Sequence, residues 1–187
     1  MTDLAALAAE VAGCTRCPLH ASRTQVVFGR GNPDADLVFV GEAPGAEEDA
    51  QGLPFVGRSG KLLDRLAFEE IGLTDRDFYV MNVLRCRPPS NRDPKPDEVA
   101  SCSTWFDAQL ALLDPKVVVP LGNFATRALL GTTDGITKVR GRAYPWRGIV
   151  LVPTYHPAAV LRGGAVPMAE LRADLVRAKL AMQGVLA

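Results

Sequence analysis

The sequence predicts an α/β protein, a three-layer sandwich with helices on both faces of a central four-stranded parallel sheet. Two observations lead there. The runs DLVFVGE (36–42), FYVMNVL (78–84), KVVVPLG (116–122) and GIVLVPTYHP (148–157) are almost unbroken in apolar, often β-branched residues. Continuous rather than alternating apolarity belongs to short strands covered on both faces. Segments of helical periodicity lie between and around these runs, and strands that alternate with helices build parallel sheets.

In chain order, Leu4, Leu7 and Val11 first repeat at helical spacing near the N-terminus. Leu62, Leu63, Leu66 and Ile71 mark a helix after the first strand, and Val99, Cys102, Phe106 and Leu113 mark one after the second. Pro96 opens that third helix, because the fixed φ and missing N–H of proline are tolerated in a first turn. Phe124 to Leu130 reads as a shorter helix closed by Gly131, and Met168 to Met182 as the last, between Pro167 and Gly184. The stretch RCRPPSNRDPKPDE (85–98) is rich in proline and polar residues and reads as one long ordered loop. Loops of that kind are more often functional than not.

A chain of 187 residues fits one compact domain, 1–187, large enough for a well-buried core. Lys plus Arg (21) equals Asp plus Glu (21), so bulk charge announces no nucleic-acid partner; one would need a local basic surface. No apolar run approaches the roughly 18 residues of a membrane span. The N-terminus carries Asp3 and Glu10 and no basic leader, so a cytoplasmic, intracellular protein is expected.

The cysteines are few and telling. Cys14 and Cys17 form a CxxC pair that presents both sulfurs to one ion or cluster, and Cys86 and Cys102 follow far along the chain. Zinc and iron–sulfur both suit thiolate-only ligation, and the wide gap in the second pair departs from the two local knuckles usual for structural zinc. Core thiols are the third reading, since Cys102 lies between Val99 and Phe106 on an apolar face.

In a parallel α/β sheet, ligands collect beyond the carboxyl ends of the strands. The segments just past the strands gather Glu42, a glycine-rich turn, Phe55, Asn82, His156 and Arg162 on one rim. An amide can pair with a base edge as donor and acceptor together, an aromatic ring can stack on it, and an imidazole can stabilise developing charge.

The blocks GEAPGAEEDAQGLPFVG, NVLRCRPP and YHPAAVLR, with the four cysteines, together resemble the family 4, iron–sulfur uracil-DNA glycosylases over Cys14 to about Arg162. The resemblance implies a uracil-DNA glycosylase-like fold and a [4Fe–4S] cluster held by Cys14, Cys17, Cys86 and Cys102. It implies a structural cluster, which would pin the strand end at Asn82, the 85–98 loop and the N-terminal arm together. It places Phe55 flat against uracil, Asn82 on the Watson–Crick edge, and the backbone of Gly41, Glu42 and Ala43 on the uracil oxygens.

His156 is then the donor near uracil O2, and Glu42 the carboxylate named as water activator, with Glu47, Glu48 and Asp49 as alternatives. Better-known relatives have an aspartate at Ala43, and a tyrosine at Gly45 that excludes the thymine methyl; Glu47 is expected to form that wall. Leu161 would wedge into the minor groove with Arg162 beside it. Arg85, Arg87, Arg92, Arg140, Arg142 and Arg147 are candidates for the local basic surface, Arg87 foremost. The expected activity is monofunctional hydrolysis of the N-glycosidic bond in single- or double-stranded DNA, beginning base excision repair. The expected protein is a nucleoid-associated monomer. A non-enzymatic uracil binder is the rival class; similar proteins of that kind carry an extra histidine that residues 83–101 lack.

Overall fold

The structure is a computed structural model and describes residues 3–186; residues 1, 2 and 187 of the expected domain lie outside the described residues. Its strands are β1 (Arg30–Gly31), β2 (Leu37–Gly41), β3 (Tyr79–Asn82), β4 (Val117–Pro120), β5 (Tyr144–Trp146) and β6 (Ile149–Leu151). The helices are α1 (Leu4–Ala12), α2 (Ala46–Gln51), α3 (Arg58–Ile71), α4 (Pro96–Leu113), α5 (Gly122–Leu130), α6 (Ile136–Val139), α7 (Pro157–Gly163) and α8 (Ala165–Met182).

The sheet is mixed and has six strands in the order β1-β3-β2-β4-β6-β5, not the four parallel strands expected. The pairs β3–β2, β2–β4 and β4–β6 are parallel, whereas β1 and β5 add antiparallel edges. Both edges escape a reading by apolar runs. The first is two residues long, and the other contains Pro145, which belongs on an edge because it donates nothing to the ladder. Strands β5 and β6 are joined by Arg147 and Gly148 with φ of 50° and 79°. Two consecutive positive φ values make the turn that suits strand twist, but Arg-Gly lacks the Asn-Gly or Asp-Gly signature.

The central strands are buried on both faces, and their alternate residues feed two cores. Leu37, Phe39, Val117 and Val119 meet α3 and α8 through Leu63, Leu66, Leu171 and Leu175. Val38, Val40, Met81 and Val118 face α4 and α5 through Phe106, Leu110, Ala125 and Leu129. Fully burying each such side chain contributes about 1.5–3 kcal/mol, which is what holds the layers together. The five expected helices are present, and α4 does begin at Pro96. Three short helices were missed, among them the four-residue α6. AEEDAQ of α2 has no apolar stripe to detect, and PAAVLRG of α7 is under two turns long. No helix among the described residues is long and apolar enough to cross a membrane.

Strand β6 is shorter than its apolar run, yet the chain beyond it stays beside β4. Val152 N–H donates to Val118 O (3.0 Å), Thr154 N–H to Pro120 O (3.1 Å) and Gly122 N–H to Thr154 O (2.8 Å). Through these bonds the sheet delivers His156 to the same edge as Gly41 and Asn82.

Candidate active site

A cleft of about 1210 Å³ opens at the carboxyl ends of the central strands. Glu42, Ala43, Phe55, Asn82, His156 and Arg162 all line it. Six of the expected residues therefore share one wall, although they come from four separate stretches of chain.

Gly41 explains how two of them meet. A Cβ there would lie 2.4 Å from Asn82 Oδ1 and 2.6 Å from Phe55 Cε2, so the ring and the amide converge over bare backbone. Phe55 has φ of 55°, a left-handed conformation that is strained for a bulky residue and persists only where neighbours enforce it. The neighbours are specific. Glu48 Oε1 accepts from the N–H groups of Val56 (3.1 Å) and Gly57 (3.3 Å). Arg30 Nε donates to Pro54 O (2.9 Å), and Arg30 is itself held by Asp64 at 2.7 Å. Helix α3 closes the far side at Gly60, where a Cβ would fall 1.7 Å from Phe55 O. Asn82 is 2% exposed, and its side-chain amide makes no hydrogen bond among the described residues, which leaves it for a ligand.

His156 is the N-cap of α7. Ala158 N–H donates to its Nδ1 (3.1 Å), so in the neutral ring the proton resides on Nε2. Burial, and then the positive charge of Arg162, push its pKa down from 6.5 to about 4, against a smaller opposing pull from Glu48. At neutral pH the side chain is therefore an uncharged donor. Its ring lies 5.5 Å from that of Phe55, tilted 31°. Gly122 packs against it, since a Cβ there would come 2.9 Å from His156 Cβ. Two residues upstream, Thr154 Oγ1 donates to buried Asp174 (2.7 Å), which Arg140 grips at 2.7 and 2.9 Å. That clamp fixes the segment from which His156 projects. Sequence reasoning missed it because its members are far apart and carry no motif.

The acidic residues sort by geometry. Glu42 lies at the cleft wall with its carboxyl pKa raised by burial and, secondarily, by the charge of Asp93. Asp49 is buried and accepts from Thr24 N–H at 2.9 and 3.1 Å, a structural use. Glu47 is exposed and lies outside the cleft wall; Glu48 stands there instead. A Cβ on Gly45 would meet Glu48 Oε2 at 2.7 Å, so the carboxylate covering Gly45 is that of Glu48. The register of α2, invisible without its N-terminus at Ala46, decides between the two.

The basic candidates separate as well. Arg85 is buried, Arg92 pairs with Glu98 (2.5 Å), Arg140 with Asp174, and Arg147 with Asp107 (2.7 Å). They do not form one bare cationic surface. Arg87 donates to Asn91 Oδ1 (2.7 Å) and steadies the tip of the long loop, outside the cleft wall. Arg127, which sequence reasoning did not name, lines the cleft with Arg162. Leu161, next to Arg162, is 43% exposed but does not itself line the cleft, and Val166, beyond Gly163 and Gly164, is 70% exposed.

Behind β3 the four cysteines border one small chamber with Arg16, Arg23 and Arg85. Cys14 follows α1, Cys17 caps a 3-10 turn, Cys86 lies four residues past Asn82, and Cys102 is on α4. No three His, Cys, Asp or Glu side chains among the described residues gather closely enough to hold a single metal ion. A multi-iron cluster spaces its thiolates more widely, and the surroundings suit one. Trp105 Nε1–H donates to Cys14 Sγ (3.2 Å) and Arg23 Nη1 to Cys86 Sγ (3.4 Å), which are the hydrogen bonds to sulfur that tune such sites. Burial holds the free Cys86 thiol up at about 11. Arg85 Nε and Nη2 are buried against this chamber without any acceptor, which an anionic group of thiolates would answer.

Comparison with known proteins places the chain in a family. The family model of the uracil DNA glycosylase superfamily matches residues 28–176. A type-4 uracil-DNA glycosylase of Thermotoga maritima is 49% identical over 151 residues, covering 80% of this chain and 78% of the relative. Those of Sulfurisphaera tokodaii and Archaeoglobus fulgidus are each 44% identical over 169 residues, covering 86% of this chain and 77% and 84% of theirs.

Proposed function

The chain belongs to the uracil-DNA glycosylase superfamily and removes uracil from DNA in base excision repair, and we propose that it does so by flipping the base into this cleft and hydrolysing its N-glycosidic bond. The observation that carries the reading is the convergence of the Phe55 ring, the free Asn82 amide and the uncharged His156 on one wall. Uracil stacks on Phe55, worth about 1–3 kcal/mol, of the order of the few kcal/mol that flipping costs. Asn82 reads its Watson–Crick edge as donor and acceptor. The carbonyls of Gly41 and Glu42 are taken up by the N–H groups of Val83 and Leu84 (2.9 and 3.0 Å). That leaves the N–H groups of the turn, through Ala43, for the uracil oxygens.

As the glycosidic bond stretches, negative charge grows on uracil. His156 Nε2–H donates to O2 there, and a donor already in place spares the reorganisation that water would need. Glu42 activates the attacking water, its raised pKa making it a better proton acceptor than a free carboxylate. Glu48, over Gly45, walls off the space a thymine methyl would enter. Among the described residues no lysine lines the cleft, so no Schiff base forms and the product is an abasic site without a nick. Leu161 fills the gap the base leaves, and Arg162 and Arg87 contact phosphate. Residues 1–187 act as one domain and as a monomer on uracil-containing DNA, in the cytoplasm at the nucleoid.

Cys14, Cys17, Cys86 and Cys102 would hold a [4Fe–4S] cluster, which when bound supplies a cross-link between the N-terminal arm, the 85–98 loop and α4, with no electron transfer in base removal. The test is a labelled oligonucleotide with one uracil, treated with protein and EDTA and then alkali. Strand cleavage only after alkali is expected. An uncut strand that still shifts on a gel would make the protein a binder and sink the enzymatic reading.

A further inference from the structure

We infer that Arg85 is the built-in counter-cation of the four-cysteine chamber and the mechanical link from it to the base-reading end of β3. The inference rests on reading that chamber as an iron–sulfur site. Arg85 is 1% exposed and forms no salt bridge among the described residues. Its Nη1 donates to the carbonyl of Asn82, while Nε and Nη2 find no acceptor. The ring of Phe106 lies 5.8 Å from its guanidinium carbon, a weak partner for a full charge.

A guanidinium does not shed its proton to escape burial, and a buried charge without compensation is strongly destabilising. The groups nearest to it able to carry negative charge are Cys102, Tyr79 and Cys86. The hydroxyl of Tyr79 is already bonded to Gln109 (3.1 Å), and as a phenol it stays neutral. Four thiolates on an iron–sulfur cluster carry net negative charge, and they border the same chamber as Arg85. Arg16 and Arg23 also face it, but Arg16 is exposed and stacks on Trp105 at 3.9 Å, and Arg23 is only partly buried. Arg85 is thus the cation whose burial only the cluster accounts for. It is a positioning residue: the same guanidinium that meets the cluster fixes the backbone of Asn82, whose amide enters the cleft.

A buried positive charge beside a cluster stabilises its more reduced, more negative state and raises its midpoint potential. The test compares Arg85→Gln, neutral but able to donate to the Asn82 carbonyl, with Arg85→Lys, which keeps the charge. Iron per chain, iron release to a chelator and midpoint potential are measured on holoprotein purified anaerobically. The glutamine variant is expected to show a lower potential and iron release faster by about 10–100-fold, the usual effect of losing a partner just outside a metal's ligands. The lysine variant is expected to stay near wild type in both. A glutamine variant that purifies without iron while the lysine variant retains it is the same result read through occupancy. Equal potentials and release rates in all three proteins overturn the inference, as does a lysine variant as impaired as the glutamine one. Wild-type protein without iron would instead sink the cluster reading itself.

Discussion

The cleft and the cysteine chamber lie on opposite sides of one short segment, Asn82 to Cys86, yet they are built in opposite ways. Three of the residues at the cleft are set by strand ends, Gly41 by β2, Asn82 by β3 and His156 by the segment after β6, while Phe55 is braced between α2 and α3. The chamber is set by none. It joins the end of α1, a 3-10 turn, the chain past β3 and the middle of α4. Strand ends are held by the sheet's ladder and by two apolar cores, so the cleft is preorganised whether or not a ligand is present. The chamber rests on a third, smaller apolar cluster of Leu7, Val11, Leu19, Leu84 and Trp105, across which the proposed iron–sulfur cluster would tie the four thiols together. On the proposed reading, chemistry belongs to the side that the sheet holds, and the bound group would add a cross-link to the other.

The largest effect expected from that contrast is at His156. Replacing it with alanine removes a preorganised donor, and kcat should fall about 10²–10³-fold. Affinity for uracil-containing DNA should change little, since the ring contributes no charge. Single-turnover excision beside a gel-shift titration checks both. A variant losing affinity and rate together would mean that the imidazole binds rather than catalyses.

Next is Phe55. Truncation to alanine removes stacking worth about 1–3 kcal/mol, or roughly 5–150-fold in kcat/KM. Because the residue is strained at φ 55°, Phe55→Gly should retain or gain thermal stability relative to Phe55→Ala while losing the same activity. On the chamber side, chelating the iron should do the reverse, lowering the melting temperature first. Oxidising the cluster without losing it should leave excision intact. Full loss of activity with an unchanged melting temperature would break the division of labour between a catalytic cleft and a structural chamber.

A pH profile sharpens the comparison within the cleft. The Glu42 carboxyl titrates above the 4.5 of a free group, because burial and Asp93 disfavour its charge. In the proposed role of water activator it must be ionised, so kcat/KM should rise with pH through that raised value and then level off. His156, at about 4, titrates below that rise. Glu42→Gln should lower the plateau and move the remaining acid limb down to about 4. Stability has its own signs. The depressed pKa of His156 means that the unfolded chain takes up its proton first, so stability is lost as pH falls from 6.5 towards 4. Glu42, with its raised pKa, stabilises the fold only while protonated, and that contribution goes as pH rises through its folded value. A limb unchanged in Glu42→Gln would transfer the base to another group.

Much of the cleft was legible because its residues sit just past apolar runs, and a run's end is readable from the chain alone. Asn82 and His156 were found that way, whereas Phe55 lies farther on, in the glycine-rich segment after the first run, and took its role from the family likeness. What escaped depended on local register or on distance. Glu48 rather than Glu47 meets the cleft because α2 starts at Ala46, and six polar residues give no periodicity to reveal it. The edge strands were too short and too irregular to show as runs, so the sheet was read as four strands. The Arg140–Asp174–Thr154 clamp spans residues 34 and 20 apart in sequence, and pairing at that range leaves no local mark. The chamber's four cysteines were countable, but only the family likeness joined them. Arg85 was placed among surface cations because arginine is so rarely buried.

The smallest effect separates the rim from both interiors. Of the arginines considered for phosphate, Arg92, Arg140 and Arg147 are held by Glu98, Asp174 and Asp107, and Arg85 is buried, so none is free to neutralise DNA at little cost. Arg162 is exposed and at the cleft edge, and Arg87 has only an amide partner. Arg162→Ala should weaken binding of every DNA sequence alike and reduce the slope of log K against log salt by about one. Arg147→Ala should leave the slope unchanged, since its charge is already spent on Asp107. Equal slopes for wild type and both variants would mean that phosphate is met elsewhere, and Arg127, which also lines the cleft, would be the next residue to replace.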